Sequence, residues 1–283
     1  MFFSPANCKF YTINCNGKLL SLQPAVVMGI LNITPDSFYD GGTYKDTGSV
    51  VIKAKEMMAD GADILDIGGY STRPGADDVP IETELSRVIP VIDAILKELP
   101  NAIISIDTFR SKVAEAAVKA GASIVNDISA GDDDPEMIAT VARLKVPYIA
   151  MHKQGTPKTM QLNPQYNNVT ADILTYFVEK LSSWQNAGIV DIIIDPGFGF
   201  GKTLDHNYEL LKNLSAFKML DCPILIGVSR KGMIKNALNI SAEAALNGTT
   251  VLNTFGLLNG ANIVRVHDVK EAKEAILLTN RLL

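Results

Sequence analysis

Residues 191–202 read Asp191-Ile192-Ile193-Ile194-Asp195-Pro196-Gly197-Phe198-Gly199-Phe200-Gly201-Lys202. Three consecutive isoleucines suit the pleat of a strand buried on both faces, and such strands belong to parallel sheets covered by helices. The strand halts at a carboxylate. Pro196 cannot donate to a ladder, and glycines alternating with phenylalanines turn the chain tightly while leaving aromatic surface beside Asp195. An ionised carboxylate there can accept two parallel N–H bonds, so a flat, nitrogen-rich heterocycle is one candidate ligand. A turn aspartate that caps the next helix is the other reading of the same residues.

The unit of which this stretch is one copy recurs from Pro24 onward: a short apolar run ending in polar groups or glycine, a loop, then a helical period. The runs cover residues 26–32, 64–69, 103–107, 124–127, 148–152, 192–195, 224–229 and 263–268. Helical periodicity falls at 47–60, 81–99, 111–120, 135–144, 169–187, 206–214, 242–259 and 269–283. Eight such pairs predict an α/β fold, a single (β/α)8 TIM barrel over residues 24–283. A doubly wound open sheet competes, but the first βα turn lacks Gly-x-Gly-x-x-Gly and no composition shift marks a boundary. Ahead of the barrel, residues 8–22 alternate around Asn16-Gly17, which predicts an N-terminal β-hairpin that plugs or caps the main fold.

Composition narrows the function. The 283 residues, 47% hydrophobic, match a barrel of about 250 residues and suffice for its core. A formal charge of −5 without a run of lysines or arginines disfavours a nucleic-acid partner. The opening Met-Phe-Phe-Ser-Pro has no basic region, and no stretch reaches membrane-spanning length, so export and membrane insertion are disfavoured. Cys8, Cys15 and Cys222 are odd in number and unpatterned, as expected of free thiols in a cytoplasmic protein. His152, His206 and His267 have no metal-ligand spacing, so any metal is expected to be hard and oxygen-bound.

In such a barrel the C-terminal strand ends converge on one mouth. Asn32, Asp66, Asp107, Asn126, Asp127, His152, Asp195, Ser229, Arg230, Lys231, Arg265 and His267 are expected around one cavity, with caps and loop hydrogen bonds competing for the same residue types. The loop over residues 28–42 can fold over a substrate, with Asn32 at the strand end and Phe38 as an apolar lid. The loop over 66–75 offers Thr72 and Arg73. Loops after the seventh and eighth strands often hold phosphate, and here they supply Ser229, Arg230 and Lys231, then Arg265 and His267. Alternation puts Arg265 and His267 on one face, suited to a diphosphate; an ion pair between Arg265 and a neighbouring aspartate is the alternative.

Seven segments in order, at 29–38, 66–75, 105–108, 125–128, 195–202, 229–231 and 265–268, make the chain from Met28 onward resemble the dihydropteroate synthases of folate biosynthesis. The resemblance implies a pterin-binding barrel that joins para-aminobenzoate to 6-hydroxymethyl-7,8-dihydropterin diphosphate, releasing diphosphate and 7,8-dihydropteroate through a dissociative step. Carried over by position, it implies that Asp107, Asn126 and Asp195 bond the pterin edge and that Lys231 contacts the ring. Met151, Phe200 and Gly227 would line the pocket, and Asn32 would be the protein ligand of Mg²⁺. Arg265 and His267, with Ser229, would hold the diphosphate. Thr34, Pro35, Phe38 and Asp40 with Thr72, Arg73 and Pro74 would close over the aminobenzoate. Relatives of this kind are commonly homodimers and sulfonamide targets.

Four positions depart from the pattern: Tyr39, Tyr70, Lys153 and Gly232. Where Gly232 stands many members carry a serine that bonds the aminobenzoate carboxylate; backbone N–H groups at the start of the following helix can replace it. Two other readings share the pterin-facing residues. A pterin-dependent corrinoid methyltransferase would not need the Ser-Arg-Lys segment or the two substrate loops, and a non-catalytic pterin-binding homologue would not need Asn32, Arg265 and His267.

Overall fold

The computed structural model describes residues 9–33, 47–71, 78–156, 159–160 and 162–282. β1 (Thr12–Cys15) pairs antiparallel with β2 (Lys18–Ser21) through a turn in which Asn16 and Gly17 take φ of 52° and 87°. Positive φ at both central residues is what a two-residue hairpin matched to strand twist requires, and Asn-Gly supplies it at little cost. The hairpin does plug something. Ile13, Cys15 and Leu22 join a buried cluster with Val26, Met28, Ile64, Ile124, Ile149, Ile193, Leu225 and Ile263, the first inward-facing layer of the barrel strands.

Those strands are β3 (Val26–Asn32), β4 (Ile64–Gly68), β5 (Ile104–Asp107), β6 (Ile124–Asp127), β7 (Tyr148–Met151), β8 (Ile192–Asp195), β9 (Leu225–Ile226) and β10 (Ile263–Val266). Each is parallel to the next, and β10 returns to β3. The ring closes between β8 and β9 through a parallel bridge from Ile194 to Ile224, where the Ile194 N–H donates to the Pro223 carbonyl at 2.9 Å. Around it run α1 (Thr47–Ala59), α2 (Ile81–Glu98), α3 (Ser111–Lys119), α4 (Met137–Leu144), α5 (Val169–Asn186), α6 (Leu204–Lys212), α7 (Gly232–Leu238), α8 (Leu246–Leu258) and α9 (Val269–Thr279). The sequence pattern located the eight strands to within a few residues. It did not reveal α7 or the 3-10 helix Leu214–Leu220, because seven residues complete only two helical turns and show no clear period.

Period-two alternation sorts every strand residue inward or outward. Outward residues such as Val27, Leu65, Ile67, Ile104, Ile106, Val125, Tyr148, Ile192, Ile194, Val264 and Val266 form one continuous core with the helices. Inward residues change character along the barrel axis: the apolar layer that meets the hairpin gives way, two residues further on, to Asp66, Ser105, Asn126, Met151, Asp195, Gly227 and Arg265. The apolar end is closed, and the polar layer faces the mouth.

Candidate active site

The inward register brings most of the sequence-derived candidates together. Arg265 on β10 donates from Nε to Asp66 Oδ2 and from Nη2 to Asp107 Oδ2, both at 2.6 Å. Asn126 donates from Nδ2 to the same Asp66 Oδ2 at 3.2 Å. The guanidinium fork therefore ties together acids from β4 and β5, a geometry that Arg achieves and Lys does not. The ion pair weighed as the alternative for Arg265 is thus present in the structure. Burial works against the Arg265 charge, but Asp66 and Asp107 more than offset it and raise its pKa. Asp107 is pushed up to about 7 by burial, with Arg265 opposing the rise and the Asp66 charge adding to it. Gly68 keeps this corner open. A Cβ there would meet Asp107 and the Asn32 amide oxygen at 3.5–3.7 Å, so Asn32 stands beside the acid pair at the end of β3.

Across the mouth, Asp195 Oδ1 accepts from the Gly197 N–H at 2.8 Å, closing the Asp-Pro-Gly turn read from the sequence. Burial raises its pKa, and Lys231, the Gly197 N–H, Arg265 and Lys202 pull it back. Lys231 Nζ donates to the Phe198 carbonyl at 2.6 Å and lies 4.8 Å from the centre of the Phe200 ring. Burial lowers the Lys231 pKa to about 8, with Asp195 the main opposing charge. Gly227 gives this ammonium its room, since a Cβ there would approach Lys231 Nζ to 3.7 Å and Arg265 Cβ to 3.9 Å. Met151 is buried at the end of β7, next in register to Asp195. Ser229 Oγ lies 3.0 Å from His267 Nδ1, which joins the loops after β9 and β10.

Other expectations are corrected by the register. Asp127 and His152 follow inward residues and therefore face the helices. Asp127 accepts from the Ser129 and Gly131 N–H groups and from the Tyr148 hydroxyl, and His152 packs edge-on against Tyr176, 4.9 Å between ring centres. Arg230 turns away to form a two-point pair with Asp268. Phe198 is buried among core residues, leaving Phe200 as the ring of that loop beside Lys231. Gly232 is exposed at the first position of α7. Thr34, Pro35, Phe38, Asp40, Thr72, Arg73 and Pro74 lie outside the described residues. Two participants had no role assigned from sequence. Asp66 joins Arg265 to Asn126, a role that its inward parity with Ile64 foreshadows, and Lys202 bonds the Gly197 and Phe200 carbonyls.

The glycines of the turn are exacting. Gly197 and Gly201 have φ of +74° and +65°, and a Cβ on them would sit 1.9 Å from the His152 carbonyl oxygen and 2.3 Å from that of Gln154. Gly197→Ala is expected to destabilise the protein by at least about 3 kcal/mol, from a strained φ plus backbone displacement, and Gly199→Ala, whose Cβ would meet Lys231 Cδ at an ordinary 3.5 Å, by less. Urea unfolding midpoints of the two variants measure the difference.

Acids grouped on one flank, a cation over an aromatic ring, and a hydroxyl–imidazole pair at the far strand ends suit a flat heterocycle carrying an anion. The model of the pterin binding enzyme family matches residues 28–267. The chain is 45% identical to the dihydropteroate synthase of Escherichia coli strain K12 over 262 residues, 92% of each protein.

The chain belongs to the dihydropteroate synthase family.

Solved members of the family superpose on the whole barrel. The Xanthomonas albilineans dihydropteroate synthase with 4-aminobenzoic acid has a TM-score of 0.90 at 39% identity, covering 97% of this chain and 98% of that one. The Yersinia pestis dihydropteroate synthase in complex with a sulfonamide drug has a TM-score of 0.91 at 39% identity, covering 96% and 99%.

Proposed function

We infer that the chain condenses 6-hydroxymethyl-7,8-dihydropterin diphosphate with para-aminobenzoate to give 7,8-dihydropteroate and diphosphate. The observation that carries this is the joint presence, on inward positions of β5, β6 and β8, of Asp107, Asn126 and Asp195, together with the Lys231–Phe200 pair. Carboxylates accept the N–H edge of the pterin, Asn126 both donates and accepts, and Met151 and Phe200 give the ring apolar surface. Arg265, His267 and Ser229 hold the diphosphate.

The chemistry asks little of a base. The aromatic amine is already an unprotonated nucleophile at neutral pH, and the methylene carbon left by departing diphosphate is a cation conjugated to the electron-rich dihydropterin. The site's task is to stabilise separating charges, with carboxylates beside the developing cation and Arg265 and His267 beside the leaving anion. The reaction is thereby dissociative. Mg²⁺ fits the same reading. It needs one or two protein oxygens once a diphosphate and water supply the remainder, and Asn32 presents a single amide oxygen at the mouth. When bound, the ion neutralises diphosphate charge.

Purified protein supplied with Mg²⁺ and both substrates is expected to release diphosphate and form dihydropteroate in equal amounts. No release, or cobalamin-dependent methyl transfer instead, overturns the reading. Sulfonamides are expected to compete with aminobenzoate.

Gly232 makes a specificity test. Among the described residues a Cβ there meets nothing nearer than Asn236 Nδ2 at 3.8 Å, which leaves room for serine. Gly232→Ser is expected to lower the KM for aminobenzoate roughly threefold to tenfold, the net worth of one ordinary solvent-exchanged hydrogen bond, while the KM for the pterin stays unchanged.

We propose that the enzyme is a homodimer. α8 and α9 pack together and leave Val251, Phe255, Leu277 and Leu278 exposed, an apolar surface suited to a second copy. Among the described residues no helix is long and apolar enough to cross a membrane. Cys15 and Cys222 are unbridged, which supports a cytoplasmic location.

A further inference from the structure

Lys202 is among the most deeply buried charged residues of the chain, 3% exposed, and the reaction as derived above does not use it. Its Nζ donates to the Gly197 carbonyl at 2.8 Å and to the Phe200 carbonyl at 3.0 Å. It lies 3.2 Å from His152 Nδ1 and 3.5 Å from the His152 carbonyl. None of these partners is a formal anion. Burial lowers the Lys202 pKa to about 7, with Asp195 opposing the fall, so on the acid side of neutrality it is an ammonium with three protons to place and no acceptor capacity, which makes His152 Nδ1 the acceptor and puts that ring's proton on Nε2. Burial holds His152 neutral, its pKa lowered to about 2, and the neighbouring Lys202 charge acts in the same direction.

The turn that Lys202 grips is the one carrying the pterin contacts. From the mouth side, Lys231 takes the Phe198 carbonyl and covers the Phe200 ring. From behind, Lys202 takes the carbonyls of Gly197 and Phe200, and the Tyr166 hydroxyl takes that of Gly201 at 2.9 Å. Two ammonium groups thus clamp one five-residue turn from opposite sides. The close approach of Gly197 and Gly201 to the backbone of His152 and Gln154 shows why a longer-range tether would not serve.

We propose that Lys202 is a positioning residue for the pterin site: its buried amine holds the 197–201 turn against the end of β7, setting the places of Phe200 and Lys231 and adding a cation behind Asp195. This rests on the pterin-binding reading above and adds to it a charge behind the pocket wall. Among the described residues, the cations that act on Asp195 are Lys231 from the loop after β9, Arg265 from β10 and Lys202. Removing Lys202 takes away one of three cations, so protonation of Asp195 should set in at higher pH.

The test is titration of 6-hydroxymethyl-7,8-dihydropterin diphosphate into wild type, Lys202→Met and Lys202→Arg between pH 5 and 8, with circular dichroism as the control for folding. Lys202→Met is expected to bind roughly 10- to 100-fold more weakly, the loss of one or two charge-assisted bonds, and to lose binding at higher pH on the acid side than wild type. Lys202→Arg keeps the charge and should keep the wild-type acid limb. Folded Lys202→Met with wild-type affinity and an unmoved acid limb would overturn the proposal, as would an equal shift in Lys202→Arg. If Lys202→Met does not fold, Lys202→Gln, which keeps an amide donor without the charge, carries the same two expectations. A wild-type protein that fails to bind the pterin would instead overturn the functional reading, so the two failures are distinguishable.

Discussion

Arg265→Ala is expected to lose about three orders of magnitude in dihydropteroate formation and, in the same variant, about 3–5 kcal/mol of stability. From sequence this arginine suits the diphosphate, with an ion pair to a neighbouring aspartate as the alternative, and on the first reading its removal mainly reduces diphosphate-dependent steps. The structure adds a second duty. Asp66 is fully buried, the Asp107 side chain is 13% exposed, and the guanidinium is bonded to both. Its loss leaves two neighbouring buried carboxylates without their common cation, a larger penalty than the pair's net worth.

The stability loss should depend on pH in a definite sense. Burial already holds Asp107 at about 7, above the ordinary aspartate value, and Arg265 limits the rise. Without Arg265 the folded pKa climbs further. A carboxylate whose folded pKa exceeds its unfolded value of about 4 binds more protons folded than unfolded across that window, so stability falls as pH rises through it. The variant's urea midpoint should therefore drop from pH 5.5 to pH 8.5 more steeply than that of wild type. Parallel pH dependence in the two proteins would show that Arg265 is not the counter-ion of these acids.

Asp195→Asn carries the second large effect. An amide in place of the carboxylate presents one acceptor and two donors to an edge that itself donates, so pterin affinity should fall about 100-fold, roughly 3 kcal/mol. Lys231 changes as well. Burial lowers its pKa to about 8 and Asp195 is the main charge opposing that, so in the variant the ammonium loses its proton at lower pH. The alkaline limb of turnover should move below that of wild type. Equal pterin affinity in wild type and variant would contradict the role assigned to Asp195.

Much of this could be read from the chain before any coordinates. Strand positions were legible because short apolar runs ending in polar groups or glycine each precede a loop and a helical period, and the hairpin because Asn16-Gly17 has few other uses. Strand parity was legible in principle: Asp66, Asp107, Asn126, Asp195 and Arg265 all stand an even number of residues from an inward apolar position. The sequence-level list nevertheless included Asp127 and His152, one residue out of phase, which turn to the helix layer and bond Tyr148 and Lys202. What could not be read was pairing across the barrel. That Arg265 reaches two acids some 160 and 200 positions away, or that Lys202 turns back to the carbonyls of its own loop, depends on where closure of the ring places strands that are remote in sequence. The short α7 was missed for the opposite reason, since it is local but too brief to show a period.

The most direct test of this arrangement is a crystal structure of the protein with 6-hydroxymethyl-7,8-dihydropterin diphosphate. The pterin edge is expected within hydrogen-bonding distance of Asp107, Asn126 and Asp195, with its ring against Phe200 and Lys231 and its diphosphate toward Arg265 and His267. A pterin bound elsewhere, or bound there with its diphosphate directed away from β10, would contradict it.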